Sequence, residues 1–141
     1  MTFTHWPVFL LTLSGSLSAD DAEAIGNHFD QALSRKEAHV NIIDSRGVRE
    51  RPNAIVRAKL AEYTARSKEA SKQWALGTAV VVNNALLRSV ITAIHWVAPS
   101  PIPVLAVATV SEAVDRCEIW LRDKNMSLNA DVVAALKRNQ G

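Results

Sequence analysis

The stretch Leu76–Val110 sets the tightest limit on how this chain folds. It reads as a strand over Thr78–Val82, a turn at Asn83–Asn84 and a very apolar helix over Ala85–Val97. Pro99, Pro101 and Pro103 stop that helix, and a second strand follows over Val104–Ala108. Strand, helix and strand at this spacing make a crossover unit, which joins parallel neighbours rather than a hairpin. This is the most apolar part of the sequence, so the other elements must pack around it. It does not cross a membrane: Asn83, Asn84, Arg88 and His95 interrupt it before the roughly 20 apolar residues a spanning helix needs.

The remaining segments repeat the same alternation. Pro7–Leu13 is a short apolar run closed by Ser14-Gly15-Ser16, as a strand buried on both faces would be. Residues 2–6 are a candidate short edge strand. Ser18 and Asp21 form a capping box for a helix ending near Arg35-Lys36, with Ala22, Ile25, Gly26, Phe29, Ala32 and Leu33 on its core stripe and His28 opposite. Val40–Ile43 is a second buried strand, followed by a turn at Asp44-Ser45-Arg46-Gly47. Pro52 opens a helix from Asn53 to Ala75, with Ile55, Val56, Leu60, Tyr63, Ala70 and Trp74 on one stripe and Gly77 as its C-terminal cap. Thr109 and Glu112 form a T-x-x-E box for a helix to Lys124 that buries Ala113, Cys117, Trp120 and Leu121. Asn129 caps a last helix over Ala130–Lys137. The expected fold is α/β: one domain over residues 1–124, with a mostly parallel sheet of four to five strands covered by helices on both faces, and a short tail helix over 125–141.

The 141 residues suffice for a single core, and 48% apolar with 21% charged residues is an ordinary globular mixture. A net charge of +2 gives no general pull toward nucleic acid, which is not expected as a partner. Cys117 is the one cysteine, so no intrachain disulfide forms, and a reducing, cytoplasmic setting suits it. Met1–Pro7 lacks the basic and apolar regions of a signal peptide.

Residue chemistry offers no catalytic signature. Glycine-rich phosphate loops and nucleophile elbows are absent, and the four histidines lack metal-ligand spacing. Neither a catalytic residue, a metal nor a cofactor is expected. Three features stand out as binding candidates. Asp44, Ser45 and Arg46 fall at the C-terminal end of a central strand, where open α/β sheets bind ligands, though the same residues serve an ordinary turn. Arg49 and Arg51 stand at a helix start that favours anions, at the head of a basic run whose alternative is a solvated face with Arg66 paired to Glu62 and Glu69. In the helix 85–97, Leu86, Leu87, Val90, Ile91, Ala93, Ile94 and Val97 form a broad apolar arc. Arg88, Ser89, Thr92 and His95 lie opposite, with Trp96 among them as either a cover for the proline loop or a partner contact.

The element order, the strand ending in Asp44-Ser45-Arg46-Gly47-Val48, the segment from Gly77 through Leu87-Arg88-Ser89-Val90 to Trp96-Val97-Ala98-Pro99, and Ser111-Glu112-Ala113 with Trp120-Leu121 resemble the SpoIIAA-like, STAS-related bacterial proteins. The likeness covers residues 7–124. It implies a non-enzymatic regulatory module that binds a protein partner and, in the best-known members, is switched by phosphorylation of a serine at the start of the helix after the second buried strand. From Arg46 to Tyr63 this chain has no serine or threonine, so that switch does not transfer; Ser45 is the nearest hydroxyl. The expected function is a protein–protein interaction module, self-association included, working through Asp44, Ser45, Arg46, Arg49, Arg51, Arg88, His95 and Trp96. The alternative is a small-ligand binder, since related domains hold lipids or nucleotides. There an anionic head would sit on Arg46, Arg49 and Arg51 and an apolar tail against the helix 85–97.

Overall fold

The structure is a computed structural model that describes residues 5–85, 88–89, 91–92 and 100–138. Four strands, β1 (Val8–Gly15), β2 (His39–Val48), β3 (Ala75–Val81) and β4 (Val104–Val107), form one sheet in the order β1-β2-β3-β4, every neighbouring pair parallel. The helices are α1 (Ala19–Ser34), α2 (Ala54–Arg66), α3 (Lys68–Trp74), α4 (Val110–Arg122) and α5 (Ala130–Lys137). The α/β class and the parallel sheet agree with the sequence pattern. Of the helix expected over 85–97, the described residues 85, 88, 89, 91 and 92 are helical. Residues 2–4 of the proposed edge strand lie outside the described residues, and 5–7 form a turn.

Sequential strand order decides where the helices go. Each right-handed crossover steps the chain one strand further in the same direction, which keeps successive crossovers on one face. Accordingly α1 and α2 pack against each other on a shared face, over Phe9, Leu11, Ile25 and Ala32. On the opposite face α4 packs on β2 and β3, and α5 packs on α4. That side holds the larger core, from Val8, Val40, Ile42, Ala79 and Val81 to Val114, Cys117, Trp120, Leu121 and Leu136. The tail helix is therefore not an appendage: Leu136 is fully buried there, and Met126, Leu128, Val132 and Val133 pack against the same cluster.

The expected N-terminal helix caps are present. Ser18 Oγ accepts from the Asp21 amide at 3.1 Å while the Asp21 carboxylate accepts from the Ser18 amide at 2.8 Å. Thr109 accepts from the Glu112 amide at 3.1 Å, and Asn129 from the Asp131 amide at 2.7 Å.

Four expectations are corrected. The helix over 53–75 is two helices, separated at Ser67, whose backbone leaves helical values (φ −89°, ψ 5°). Thr64 donates back to the Leu60 carbonyl at 3.0 Å, a pattern that bends helices, and the chain breaks three residues on. The buried stripe of α2 is also rotated: Val56 is fully buried while Ile55 is 64% exposed. Gly77 caps nothing. It lies within β3, where the pairing with β2 shifts register, and the Trp120 ring packs against its α-carbon.

The last correction concerns Asp44-Ser45-Arg46-Gly47. It is no turn but part of β2, which runs on to Val48. Between Thr12↔Asp44 and Ser14↔Gly47 the β2 side spends one residue more than β1, a bulge that accommodates turn-type residues inside a strand. Gly47 is needed for close approach and not for positive φ: a Cβ there would lie 3.0 Å from the Leu13 carbonyl oxygen and from Ser14 Cβ.

Candidate functional site

Strand alternation assigns the side chains of the helix-covered face. Successive residues of a strand point to opposite sides, so β2 turns His39, Asn41, Ile43 and Ser45 toward one face while Val40 and Ile42 join the core under α4. By the same rule β1 contributes Leu11 and Leu13, and β3 contributes Thr78 and Val80. Between this floor and the helices lies a pocket of about 250 Å³. It exceeds the roughly 150 Å³ of an engineered apolar cavity that holds benzene. Ile25, Phe29 and Leu33 of α1, with Leu60, Tyr63 and Thr64 of α2, form one wall; Ile91, Pro101, Ile102 and Val104 close the β4 side.

Polarity divides this pocket along the strand axis. At the N-terminal ends of the strands stand His39, Asn41 and Thr78, with Ser71 of α3. Toward the C-terminal ends are Leu13, Leu17, Val48, Pro52 and Val80, together with Ser45, whose hydroxyl donates to the Val81 carbonyl. Among the described residues no Asp, Glu, Lys or Arg lines the pocket. The hydrogen-bonding end is thus uncharged.

Asn41 and Thr78 are register partners across β2 and β3, and the Asn41 amide nitrogen donates to the Thr78 hydroxyl at 3.2 Å. The other end of the amide, Oδ1, is buried without a partner. His39 is 1% exposed, and its Nδ1 donates to the Glu37 carbonyl at 2.9 Å, which leaves Nε2 as the acceptor of a neutral ring. Burial holds the imidazole below its ordinary value of 6.5, and the Glu37 carbonyl and carboxylate oppose that only in part. Trp6 lies against the ring, 5.1 Å between centroids, and donates through its indole to the Glu37 carboxylate at 3.0 Å. On the α2 wall, burial and then Asp30 push the Tyr63 hydroxyl well above the usual phenol range. That hydroxyl makes no well-aligned hydrogen bond.

These shifts give a pH dependence of stability. An unfolded chain protonates His39 near 6.5 and the folded one resists, so the unfolded state binds more protons as pH falls below that value. Asp44, held low chiefly by the Arg46 side-chain bond, adds a second loss below its unfolded value of 3.8. Urea midpoints are expected to fall between about pH 7.5 and about pH 5.5, and His39→Gln to flatten that slope. An unchanged slope in the variant would remove His39 from the account.

Among the described residues, those expected from sequence do not converge on this pocket. Arg46 is bound to Asp44 through Nη2 at 2.8 Å and Nε at 2.9 Å, two residues apart in the same strand. Arg49 and Arg51 are exposed and do not line the pocket, and Arg88 is exposed on its helix. His95 and Trp96 lie outside the described residues. Arg66 pairs with Asp30 of α1 at 3.3 Å rather than with Glu62 or Glu69; Glu69 faces Lys72 at 3.9 Å. Of those among the described residues, only Ser45 belongs to the pocket lining, and it is 7% exposed, donating to the Val81 carbonyl at 2.7 Å.

That bond makes Ser45 a tie between β2 and β3. Ser45→Ala is expected to lower unfolding free energy by about 1 kcal/mol, and Ser45→Asp by about 2–3 kcal/mol, because it buries a charge beside a carbonyl. A phosphomimetic that leaves the urea midpoint at the wild-type value would restore Ser45 as a candidate switch.

The His39, Asn41 and Thr78 group escaped the sequence reading, although alternating polar residues at 39, 41 and 45 carry its signal. Cys117 is fully buried on the core face of α4, and burial, then Glu118, push its thiol up to about 12, so no thiolate forms near neutral pH. No helix among the described residues is long and apolar enough to cross a membrane. Comparison with protein families and with curated proteins finds no match for this chain.

Proposed function

We propose that this protein is a small-ligand-binding module of the cytoplasm, whose pocket takes a largely apolar molecule between the sheet and helices α1–α3. The observation that carries this reading is the pocket itself: about 250 Å³ of apolar wall with a short polar strip at one end. Ligand sites of proteins have this make-up, apolar walls with a few placed polar groups. The resemblance to SpoIIAA-like, STAS-related proteins supports it, because related domains with that fold hold lipids or nucleotides. An anionic head on Arg46, Arg49 and Arg51 is not part of the proposal, since Arg46 is bound to Asp44 and the other two do not line the pocket. The protein works by binding and release rather than by catalysis.

Native mass spectrometry of freshly purified protein, with calorimetric titration of octanol, decanol and 2-naphthol, tests the reading. A co-purified small molecule or saturable binding of these probes is expected. Absence of both sinks it.

A regulatory protein contact, which the resemblance implies, finds one favouring observation: Ile55 is 64% exposed, and Arg49 and Arg51 shortly before it in the chain are exposed too. An exposed apolar side chain a few residues from two exposed arginines in the chain suits a protein partner. In that second reading pocket occupancy would be the signal and the 49–55 surface its outlet.

A further inference from the structure

We infer that the ligand carries an uncharged hydrogen-bond donor, such as a hydroxyl, and seats it at the N-terminal end of the sheet between Asn41 and His39. This rests on the reading of the pocket as a ligand site and names the chemistry that site selects.

Asn41 is 3% exposed, lines the pocket, and has one end of its amide satisfied by Thr78 and the other by nothing. Buried polar groups are rarely left so, because an orphan donor or acceptor loses the full cost of its desolvation. With Nδ2 on the Thr78 hydroxyl, the orphan end is the carbonyl oxygen Oδ1, an acceptor. The terminal amide torsion is broad, so a small rotation brings the orphan end to the void. His39 beside it offers the Nε2 lone pair of a neutral ring. Two acceptors on alternate residues of β2, at the polar end of a largely apolar pocket, select a donor.

Charge is selected against by the same geometry. No charged side chain among the described residues lines the pocket, so a carboxylate or phosphate seated there would lose its hydration without compensation. The charged candidates lie elsewhere: Arg46 is engaged by Asp44, and Arg49 and Arg51 are exposed. The polar group of the ligand therefore points inward to the sheet, while its apolar body runs toward Leu13, Val48 and Val80.

The test uses 2-naphthol, its isostere 2-methylnaphthalene, and 2-naphthoate at about pH 8, titrated into the full chain by calorimetry. For each protein the ratio of the 2-methylnaphthalene Kd to the 2-naphthol Kd removes the general hydrophobic contribution. Asn41→Leu is expected to lower that ratio about five- to tenfold. Thr78→Val, which frees the amide from its orienting partner and suits a strand equally well, is expected to lower it about threefold. The second variant carries the test should the first fail to fold. 2-Naphthoate is expected to bind at least about tenfold more weakly than 2-naphthol in the wild type. A ratio unchanged in the folded variants, or 2-naphthoate binding as tightly as 2-naphthol, overturns the inference while leaving the ligand site standing. Failure of every probe to bind wild-type protein overturns the proposed function, and this inference with it.

Discussion

Gly77→Ala is expected to cost about 2–3 kcal/mol of unfolding free energy, at the upper end for the addition of a single methyl group. A Cβ at Gly77 would stand 2.5–2.6 Å from Cδ2, Cε2 and Cε3 of Trp120. Those atoms belong to the six-membered ring of an indole that is 7% exposed and part of the main core with Cys117 and Leu121. The ring cannot swing aside without moving α4, so the strain falls on the sheet. The other two strand glycines give an internal comparison. Gly15 has φ +72° and nothing within 4 Å of where a Cβ would lie, so alanine there meets only the left-handed backbone penalty of about 1 kcal/mol. At Gly47 a Cβ meets the Leu13 carbonyl and Ser14 at 3.0 Å, a milder crowding that a small shift of β1 relieves. Urea unfolding should therefore rank Gly77→Ala as the most damaging of the three. A Gly77→Ala protein within about 0.5 kcal/mol of wild type would mean that Trp120 does not pack against β3 as described.

That glycine also marks where the sequence pattern stopped being sufficient. Gly77 three residues after Trp74 reads as a helix cap, because local spacing carries no knowledge of what lies across the sheet. Its actual role depends on Trp120, 43 positions away, and on a register shift between β2 and β3. The turn expected at Asp44–Gly47 failed for a similar reason. Asp, Ser and Gly favour turns on their own, but a bulge in β2 lets them continue the strand, with Ser45 bonded to Val81. Where local and long-range signals agreed, as in the Ser18 and Thr109 caps and the alternation of strands with amphipathic helices, the fold was legible to within a residue or two. The parallel sheet followed from that alternation.

The candidate site was less legible, and the reason is physical. Exposed arginines advertise themselves in a sequence through charge, whereas a buried binding group consists of the neutral polar residues that also build turns and strand edges. His39 and Asn41 sit at alternate positions of an apolar strand, and read alone they suggest a strand end. They become a site only when Thr78 arrives opposite Asn41 on β3 and α1–α3 leave the space above them unfilled. The arginines, by contrast, meet Asp44 or solvent.

Ile43→Trp should separate a ligand pocket from a mere packing defect. Ile43 lies on β2 between the polar end at Asn41 and Ser45, half-buried and facing the pocket. An aromatic residue suits a strand, and its ring has the void to enter, so no core atom need be displaced. Filling a void that holds nothing in the free protein returns lost dispersion contacts, and such changes commonly add about 0.5–2 kcal/mol. Binding of 2-naphthol is expected to fall at least about thirtyfold, because the indole occupies the space the ligand needs; the thermal midpoint is expected to rise by about 2–8 °C. The two signs together are the diagnostic. A variant that merely damages the fold lowers both affinity and melting temperature, and one that touches neither shows that the probe binds elsewhere. Higher stability with lost binding would mean that this chain keeps an open pocket at the expense of its own packing, as a protein selected to hold a ligand does and one selected only to fold does not.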